Sequence, residues 1–139
     1  MKFRTMIFVL CAVLLSACSS SYSVEEDLKL IFSIPYLSTE VSEEALDENV
    51  VIIKERFKDI FSEEELNKHI SVQTFNMLHM CEEDITIDSV SFDETASEQY
   101  AFSIEMSSDS GKYTSEGSIR YEGGKIVYFI INEYPEYVE

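Results

Sequence analysis

The chain has 139 residues with 27 acidic and 10 basic side chains, and its formal net charge of −17 excludes function classes that depend on a basic surface. Nucleic-acid binding needs clustered Lys and Arg against the phosphates, and an acidic surface is repelled by anionic lipid headgroups. The length is that of one domain, which can bury a core without disulfides, metal or cofactor.

The first 17 residues have the pattern of an export leader. Lys2 and Arg4 precede an unbroken apolar run over residues 6–15, which is too short to cross a bilayer comfortably as a mature helix. Small residues then lead to Cys18. We predict a signal peptide over residues 1–17. The alternatives are a plain secretory signal with an incidental cysteine, or an uncleaved anchor.

The end of this leader, Leu15-Ser16-Ala17-Cys18, resembles the lipobox of bacterial lipoproteins. The resemblance implies that the chain is cut before Cys18 and that the Cys18 sulfur receives a diacylglycerol, usually with a further acyl chain such as palmitate on the amine. Two or three acyl chains anchor a protein stably, since each buried methylene contributes about 0.8 kcal/mol. We therefore expect membrane lipid as a partner and a location on the extracytoplasmic face of the cell membrane.

The mature part would keep all 27 acids but only 8 basic residues once Lys2 and Arg4 are removed, which gives a net charge of −19. Residues 18–23 are predicted to form a short polar tether, and residues 24–139 a single domain held near the membrane. A basic protein or peptide would be steered towards such a domain. The alternative is that the acids only keep the surface soluble.

The cysteines exclude an intrachain disulfide in the mature protein. Cys11 leaves with the leader and Cys18 carries the lipid, so Cys81 remains alone. Cys81 either pairs with a partner or is a small buried apolar residue, and the sequence leaves both open.

Helical signals dominate the first half of the domain. Residues 24–38 fit either a strand, from alternating apolar residues, or a helix that begins at three consecutive acids. Ser42 is predicted to cap a long helix, and Ser62 with Glu65 matches a capping box that begins another, with helix continuing to about Met80. The apolar stripe predicted for the long helix comprises Leu46, Val50, Ile53, Phe57 and Ile60.

After Asp84 the apolar period changes from helical to alternating, which predicts four antiparallel strands. Gly117 indicates a bulge or bend inside the third strand, and Gly123-Gly124 indicates a tight hairpin. The last strand is apolar on both faces, which predicts a central position in the sheet. The strands are expected over residues 85–92, 100–106, 112–121 and 125–132.

Helices followed by hairpin-connected strands predict an α+β fold, with N-terminal helices packed on a curved four-stranded antiparallel sheet. The helix over 42–61, the helix restart over 61–66 and the hairpin over 117–129 resemble the NTF2-like (cystatin-like) group of α+β cones. This resemblance covers roughly residues 40–132. The group includes both enzymes and proteins without catalytic activity, and the acid–base set that its enzymes place inside the cone has no counterpart here.

Catalytic and metal-binding patterns are weak. His69 and His79 are the only histidines, neither stands beside a Ser or Cys nucleophile, and we expect both at the surface or at helix ends. Residues 77–81 combine thioether, imidazole and thiol groups, which suit a soft ion such as Cu(I), but no second cluster completes such a site. The acidic runs lack the spacing of a calcium loop. We predict no catalytic residue, no metal and no cofactor.

Tyrosines are the remaining candidates for recognition. Tyr100, Tyr113, Tyr121 and Tyr128 would line one or both sheet faces and form a binding surface, or else pack under the helices. Two hypotheses follow: a non-catalytic interaction module anchored to the membrane, or a small-molecule site, with or without weak enzymatic activity, inside the cone. The cone interior would be blocked if it were filled by Phe57, Phe75, Phe102 and Phe129.

Overall fold

The computed structural model describes residues 22–33, 37–38, 40–78 and 85–134. Within these ranges the chain forms four helices followed by a four-stranded antiparallel sheet, so the predicted α+β class is confirmed. The elements in chain order are α1 (Val24–Phe32), α2 (Glu43–Phe57), α3 (Glu63–Ser71), α4 (Thr74–Leu78), β1 (Thr86–Ala96), β2 (Gln99–Ser108), β3 (Gly111–Glu122) and β4 (Lys125–Glu133).

Serine side chains begin the first three helices. Ser23, Ser42 and Ser62 each accept a hydrogen bond from the backbone N–H three residues on, and each is followed by acids in the first turn. This arrangement satisfies an unpaired donor and places negative charge at the positive end of the helix dipole. The predicted caps at Ser42 and Ser62 are confirmed, and of the two predictions for residues 24–38 the helix is observed.

The buried face of α2 differs from the predicted stripe. Leu46 is 41% exposed, whereas the polar Asn49 is buried. The side chain of Asn49 accepts from the N–H of Ser38 at 2.8 Å and donates to the C=O of Ser38 at 3.0 Å. These two bonds tie the segment before the helix to it, and they turn the helix so that its inward positions fall four residues apart. The buried positions are Ala45, Asn49, Ile53 and Phe57.

The strands follow one another in space in the order β1-β2-β3-β4, each antiparallel to the next. The prediction that the last strand is central is therefore wrong, because β4 lies at an edge. Part of that edge is covered by the segment between α2 and α3. The N–H of Ile126 donates to the C=O of Ile60 at 2.7 Å, and the C=O of Ile126 accepts from the N–H of Ser62 at 2.8 Å.

The other edge of the sheet belongs to β1, which pairs only with β2 within the described part of the chain. Its ladder is interrupted twice by register shifts, between Ile87 and Ser89 and between Glu94 and Ala96. The two edges therefore differ: within the described residues, β4 has backbone partners on its free side and β1 has none.

Phenylalanines fill the space between the helices and the sheet. Phe57 and Phe75 stack with ring centroids 4.7 Å apart, and Phe102 and Phe129 stack at 5.8 Å. All four are buried. The space between the helices and the sheet is thus occupied by side chains.

Gly117 is required by the close approach of β4 to β3. A Cβ atom at this position would lie 2.0 Å from the backbone oxygen of Ile130 and 2.6 Å from Cζ of Phe102. The strand pairing shifts register between Glu116 and Gly117, so an irregularity lies where the sequence predicted a bulge or bend, but the extra residue is Asn132 of β4 and not a residue of β3.

Replacing Gly117 by Ala should destabilise the protein by about 2–3 kcal/mol, because the added methyl group meets backbone that cannot move without opening the β3–β4 ladder. Urea unfolding measures the loss. The control is Ser118→Ala on the next, half-buried position of β3, which should change the unfolding free energy by less than about 0.5 kcal/mol. Equal stabilities of the two variants would contradict this account of the bulge.

Candidate functional site

The four predicted tyrosines do not form one surface. Tyr121 is 1% exposed, and Tyr100 and Tyr113 are half-buried on the side of the sheet that faces the helices. Tyr128 points to the opposite face and is 36% exposed. For Tyr121 the packing alternative is the one observed. Of the four tyrosines, only Tyr128 is exposed to solvent on that opposite face.

Tyr100 and Tyr121 join Tyr22 in a tyrosine cluster at one end of the sheet. The rings of Tyr22 and Tyr121 stack in parallel with centroids 3.8 Å apart, and the hydroxyl groups of Tyr22 and Tyr100 are 3.2 Å apart in a hydrogen bond. Tyr22 belongs to the segment that the sequence assigned to the tether. The structure places it against the domain, and nothing in the neighbouring sequence indicated this contact.

The hydroxyl groups of the tyrosine cluster form hydrogen bonds within the fold. Tyr121 donates to Asp27 at 2.9 Å, which ties the first turn of α1 to β3. Burial and the neighbouring Asp27 carboxylate raise the pKa of Tyr121, and the hydrogen bond with Tyr100 followed by burial raises that of Tyr22. Burial also raises the pKa of Asp27, although the bond from Tyr121 opposes this effect. Protonated phenols supply neither a base nor a nucleophile here.

A second cluster lies where α3 meets β4. The Glu65 carboxylate oxygen Oε1 accepts from the backbone N–H of Phe129 at 2.8 Å and lies 2.9 Å from Nε2 of His69. The other ring nitrogen of His69, Nδ1, is 2.8 Å from the hydroxyl of Thr74. Lys68 Nζ reaches the same carboxylate at 3.1 Å from the solvent side. All of the Glu65 partners lie on α3 and β4.

His69 lies in the last turn of α3, which fits the expected helix-end position, but it is 5% exposed and therefore not at the surface. Burial lowers its pKa despite the Glu65 carboxylate, and the ring is therefore neutral at pH 7. A carboxylate only accepts hydrogen bonds, so Nε2 donates to Glu65 and Nδ1 accepts from Thr74. Burial alone raises the pKa of Glu65, but donation by Phe129, His69 and Lys68 outweighs it and the pKa is lowered.

A hydroxyl, an imidazole and a carboxylate in series form the arrangement that activates a nucleophile in many hydrolases. Here Thr74 is buried, and the His69 ring is surrounded by Phe61, Phe75 and Phe129 at centroid distances of 5.5–6.2 Å. Among the described residues the Thr74 side chain is only 3% exposed, so its hydroxyl is enclosed by protein. The chain of bonds instead fixes α3 and α4 to the edge of β4.

The face of the sheet opposite the helices, called the outer face below, carries small and acidic side chains. Strand alternation places Ala101, Ser103 and Glu105 of β2 on it, with Glu116 and Ser118 of β3. A shallow depression of about 300 Å³ crosses all four strands there. Its lining includes the carboxylates of Asp93 and Glu116 together with serines and Asn132.

At β4 the outer face changes its charge. The Nζ of Lys68 lies 5.6 Å from the Tyr128 ring centroid, and the guanidinium of Arg120 lies 5.9 Å from it. Two cations therefore flank the tyrosine, whereas Glu133 at the other end of β4 pairs with Glu116 and adds to the acidic side chains.

Other predicted positions lie partly outside the described residues. Met77 is exposed, whereas Cys18, His79 and Cys81 fall in ranges that the structure does not describe. Across residues 22–33, 37–38, 40–78 and 85–134, no three His, Cys, Asp or Glu side chains come together as a metal-binding group. The helices of the same ranges are too short or too polar to cross a bilayer.

Replacing Glu65 by Ala should cost roughly 3 kcal/mol, because it leaves the Phe129 N–H and the His69 ring buried without their acceptor. The matched control is Glu64→Ala, one residue earlier on the exposed side of α3, with an expected change below about 0.5 kcal/mol. Urea unfolding of both variants measures the difference. A small loss for Glu65→Ala would show that the edge of β4 does not depend on this carboxylate.

Acid should destabilise the wild-type protein more than the variant His69→Gln. Since the pKa of His69 is lowered from its usual 6.5, the unfolded chain binds a proton first, and stability falls as the pH decreases below about 6.5. The lowered pKa of Glu65 adds a further loss only at lower pH, below its usual 4.5. Unfolding free energies at pH 7.5 and 5.5 test this, because all other titrating groups are common to both proteins. Parallel pH dependence would contradict it.

Comparison of the chain with protein-family models, with curated proteins and with solved structures finds no match. The α+β arrangement, with helices on an open four-stranded antiparallel sheet, is thus established by the structure itself, and it is compatible with an NTF2-like fold.

Proposed function

We propose that this protein is a lipid-anchored extracytoplasmic interaction module of NTF2-like architecture, which binds a basic protein or peptide and catalyses no reaction. The observation that carries the proposal is the difference between the two sides of the sheet. The side facing the helices is packed with phenylalanine, whereas the outer face presents exposed acidic and small side chains.

The anchor is supported by the leader pattern and by the position of Cys18. Four residues after Cys18 the chain is already packed on the domain through Tyr22. A short connection of this kind suits a protein that works beside a membrane surface. Acylation of the Cys18 sulfur is the step on which this part of the proposal depends.

A basic partner is supported by the charges of the outer face. Asp93, Glu105 and Glu116 lie on three adjacent strands, and no Lys or Arg occurs in β1 or β2, whereas β3 carries Lys112 near one end and Arg120 near the other. Such a field raises the association rate of a cationic partner and repels an anionic one. The flat, polar character of the face suits a peptide or protein segment better than a small apolar ligand, which needs a concave site.

The alternative, a small-molecule site inside the cone, finds less support. It requires an open space beside His69 or a second polar group. Phe57, Phe75, Phe102 and Phe129 fill the interior, and both His69 ring nitrogens already have partners. A ligand would have to displace at least one of these side chains.

A photocrosslinking amino acid placed at Ala101, which lines the outer-face depression, should capture the partner in native membranes. The same amino acid at Val51, exposed on α2, is the matched control and should capture it several-fold less. The captured protein should carry a basic segment, and 0.5 M salt should reduce its yield because the attraction is screened. Mass spectrometry first verifies acylation of Cys18 in the purified protein.

The double change Asp93→Asn with Glu116→Gln should lower capture from Ala101 several-fold. Neutralising Glu44 and Asp47 on α2 in the same way removes equal charge elsewhere and should leave capture unchanged. Equal capture from Ala101 and Val51, or equal effects of the two neutralised pairs, would contradict the outer face as the binding surface. An unmodified sulfur at Cys18 would contradict the anchor.

A further inference from the structure

The chain joins the domain at a fixed point. The Tyr22 ring stacks on Tyr121, and the next residue, Ser23, caps α1 through both its side chain and its carbonyl oxygen. The Ser23 hydroxyl accepts from the N–H of Glu26 at 3.3 Å, and its C=O accepts from the N–H of Asp27 at 2.9 Å. At Tyr22 and Ser23 the backbone is therefore already part of the folded domain.

This fixed point lies at one end of the sheet. Tyr100 stands at the start of β2 and Tyr121 near the end of β3, and in an antiparallel sheet these positions are adjacent. The same end carries the turn after β1, at 97–98, and the turn at Gly123-Gly124. We call it the hairpin end. The far end carries the turn between β2 and β3, at Asp109-Ser110, roughly 30 Å away along β2 at about 3.3 Å per residue.

The chain between Cys18 and Tyr22 is short compared with the sheet. Four Cα steps reach at most about 15 Å when fully extended. A lipid on Cys18 would therefore hold the hairpin end close to the headgroups, and the chain is too short to bring the far end there without laying the domain on its side. Asp93, Glu105 and Glu116 on the outer face oppose that posture on an anionic membrane. The hairpin end is also acidic, with Glu98 and Glu122 against Lys125, so the short connection and not charge decides which end lies nearest the headgroups.

We infer that the hairpin end of the anchored domain contacts the lipid headgroups. The turn between β2 and β3 then points away from the membrane. This orientation rests on the anchor in the proposed function. It deepens that function, because it leaves the acidic outer face upright and open to a partner that approaches parallel to the membrane.

The test uses the acylated mature protein on vesicles of phosphatidylcholine with one fifth phosphatidylglycerol and a nitroxide-labelled headgroup lipid. Cys81 is replaced by Ala, and one fluorophore is attached at Ser97→Cys at the hairpin end or at Ser110→Cys at the far end. The fluorophore at position 97 should be quenched several-fold more than that at position 110. A third label at Val51→Cys on α2 distinguishes an upright domain from one that lies on its helices.

Two variants of Tyr22 test whether the tyrosine cluster sets this orientation. Tyr22→Ala removes the stacked ring and lengthens the free connection, so quenching at positions 97 and 110 should become more alike. Tyr22→Phe keeps the ring and should preserve the difference. If the tyrosine cluster served stability alone, Tyr22→Ala would lower the free energy of unfolding but leave the ratio of quenching at positions 97 and 110 unchanged.

The outcomes separate the two proposals. A protein that does not float with the vesicles overturns the anchor in the proposed function. A protein that floats with them but is quenched equally at positions 97 and 110, or more at 110 or at 51, overturns the orientation and leaves the anchor intact.

Discussion

The carboxylate of Glu65 is the interaction on which the assembly of the two layers depends. Ser62 and Glu65 have the spacing of a capping box, in which the glutamate would bond back to the serine N–H. Only half of that box forms. The Ser62 hydroxyl caps the helix, but its N–H binds Ile126 of β4, and the Glu65 carboxylate binds Phe129 of the same strand. Two groups that would close a local cap instead join the helix to the sheet edge.

This use of α3 explains the one-sided character of the domain. With β4 held by the helical layer, the phenylalanines are confined to one side of the sheet, and the other side needs no apolar residues to complete the core. That side is free to carry carboxylates and serines, which cost nothing in stability while they remain solvated. A protein built in this way keeps its packing and the proposed recognition surface on opposite faces, so changes in one would leave the other largely undisturbed.

Local signals predicted most of the fold. The alternation in β2, the glycine pair before β4 and the serines at 42 and 62 act over a few residues, and all appear in the structure as expected. The features that were missed depend on distant partners. Asn49 is buried because Ser38 lies beside it, and His69 is buried because Glu65, Thr74 and three phenylalanines converge on it. A prediction from the apolar periodicity of the sequence places polar residues such as these at the surface.

The candidate site was harder to predict than the fold for the same reason. Tyr121 and Tyr128 look alike in sequence, yet one points to the core and the other to solvent, since a bulge between Ile126 and Tyr128 changes the alternation along β4. Tyr22 stands among serines, and its stacking with a residue almost a hundred positions later has no local signature. The acidity of the outer face was visible only as total charge, because which face each carboxylate occupies depends on strand register.

The β1 edge, which has no second strand partner in the described part of the chain, has a consequence for crowding. Lipid anchoring would confine copies of this domain to two dimensions, where neighbouring exposed strands meet often and can pair into ordered aggregates. The β1 strand carries Asp88, Asp93 and Glu94 with no balancing cation, and its two register shifts spoil the straight ladder that another copy would need. Mutual repulsion and an irregular backbone would thus keep neighbouring copies apart and leave the edge free of self-association.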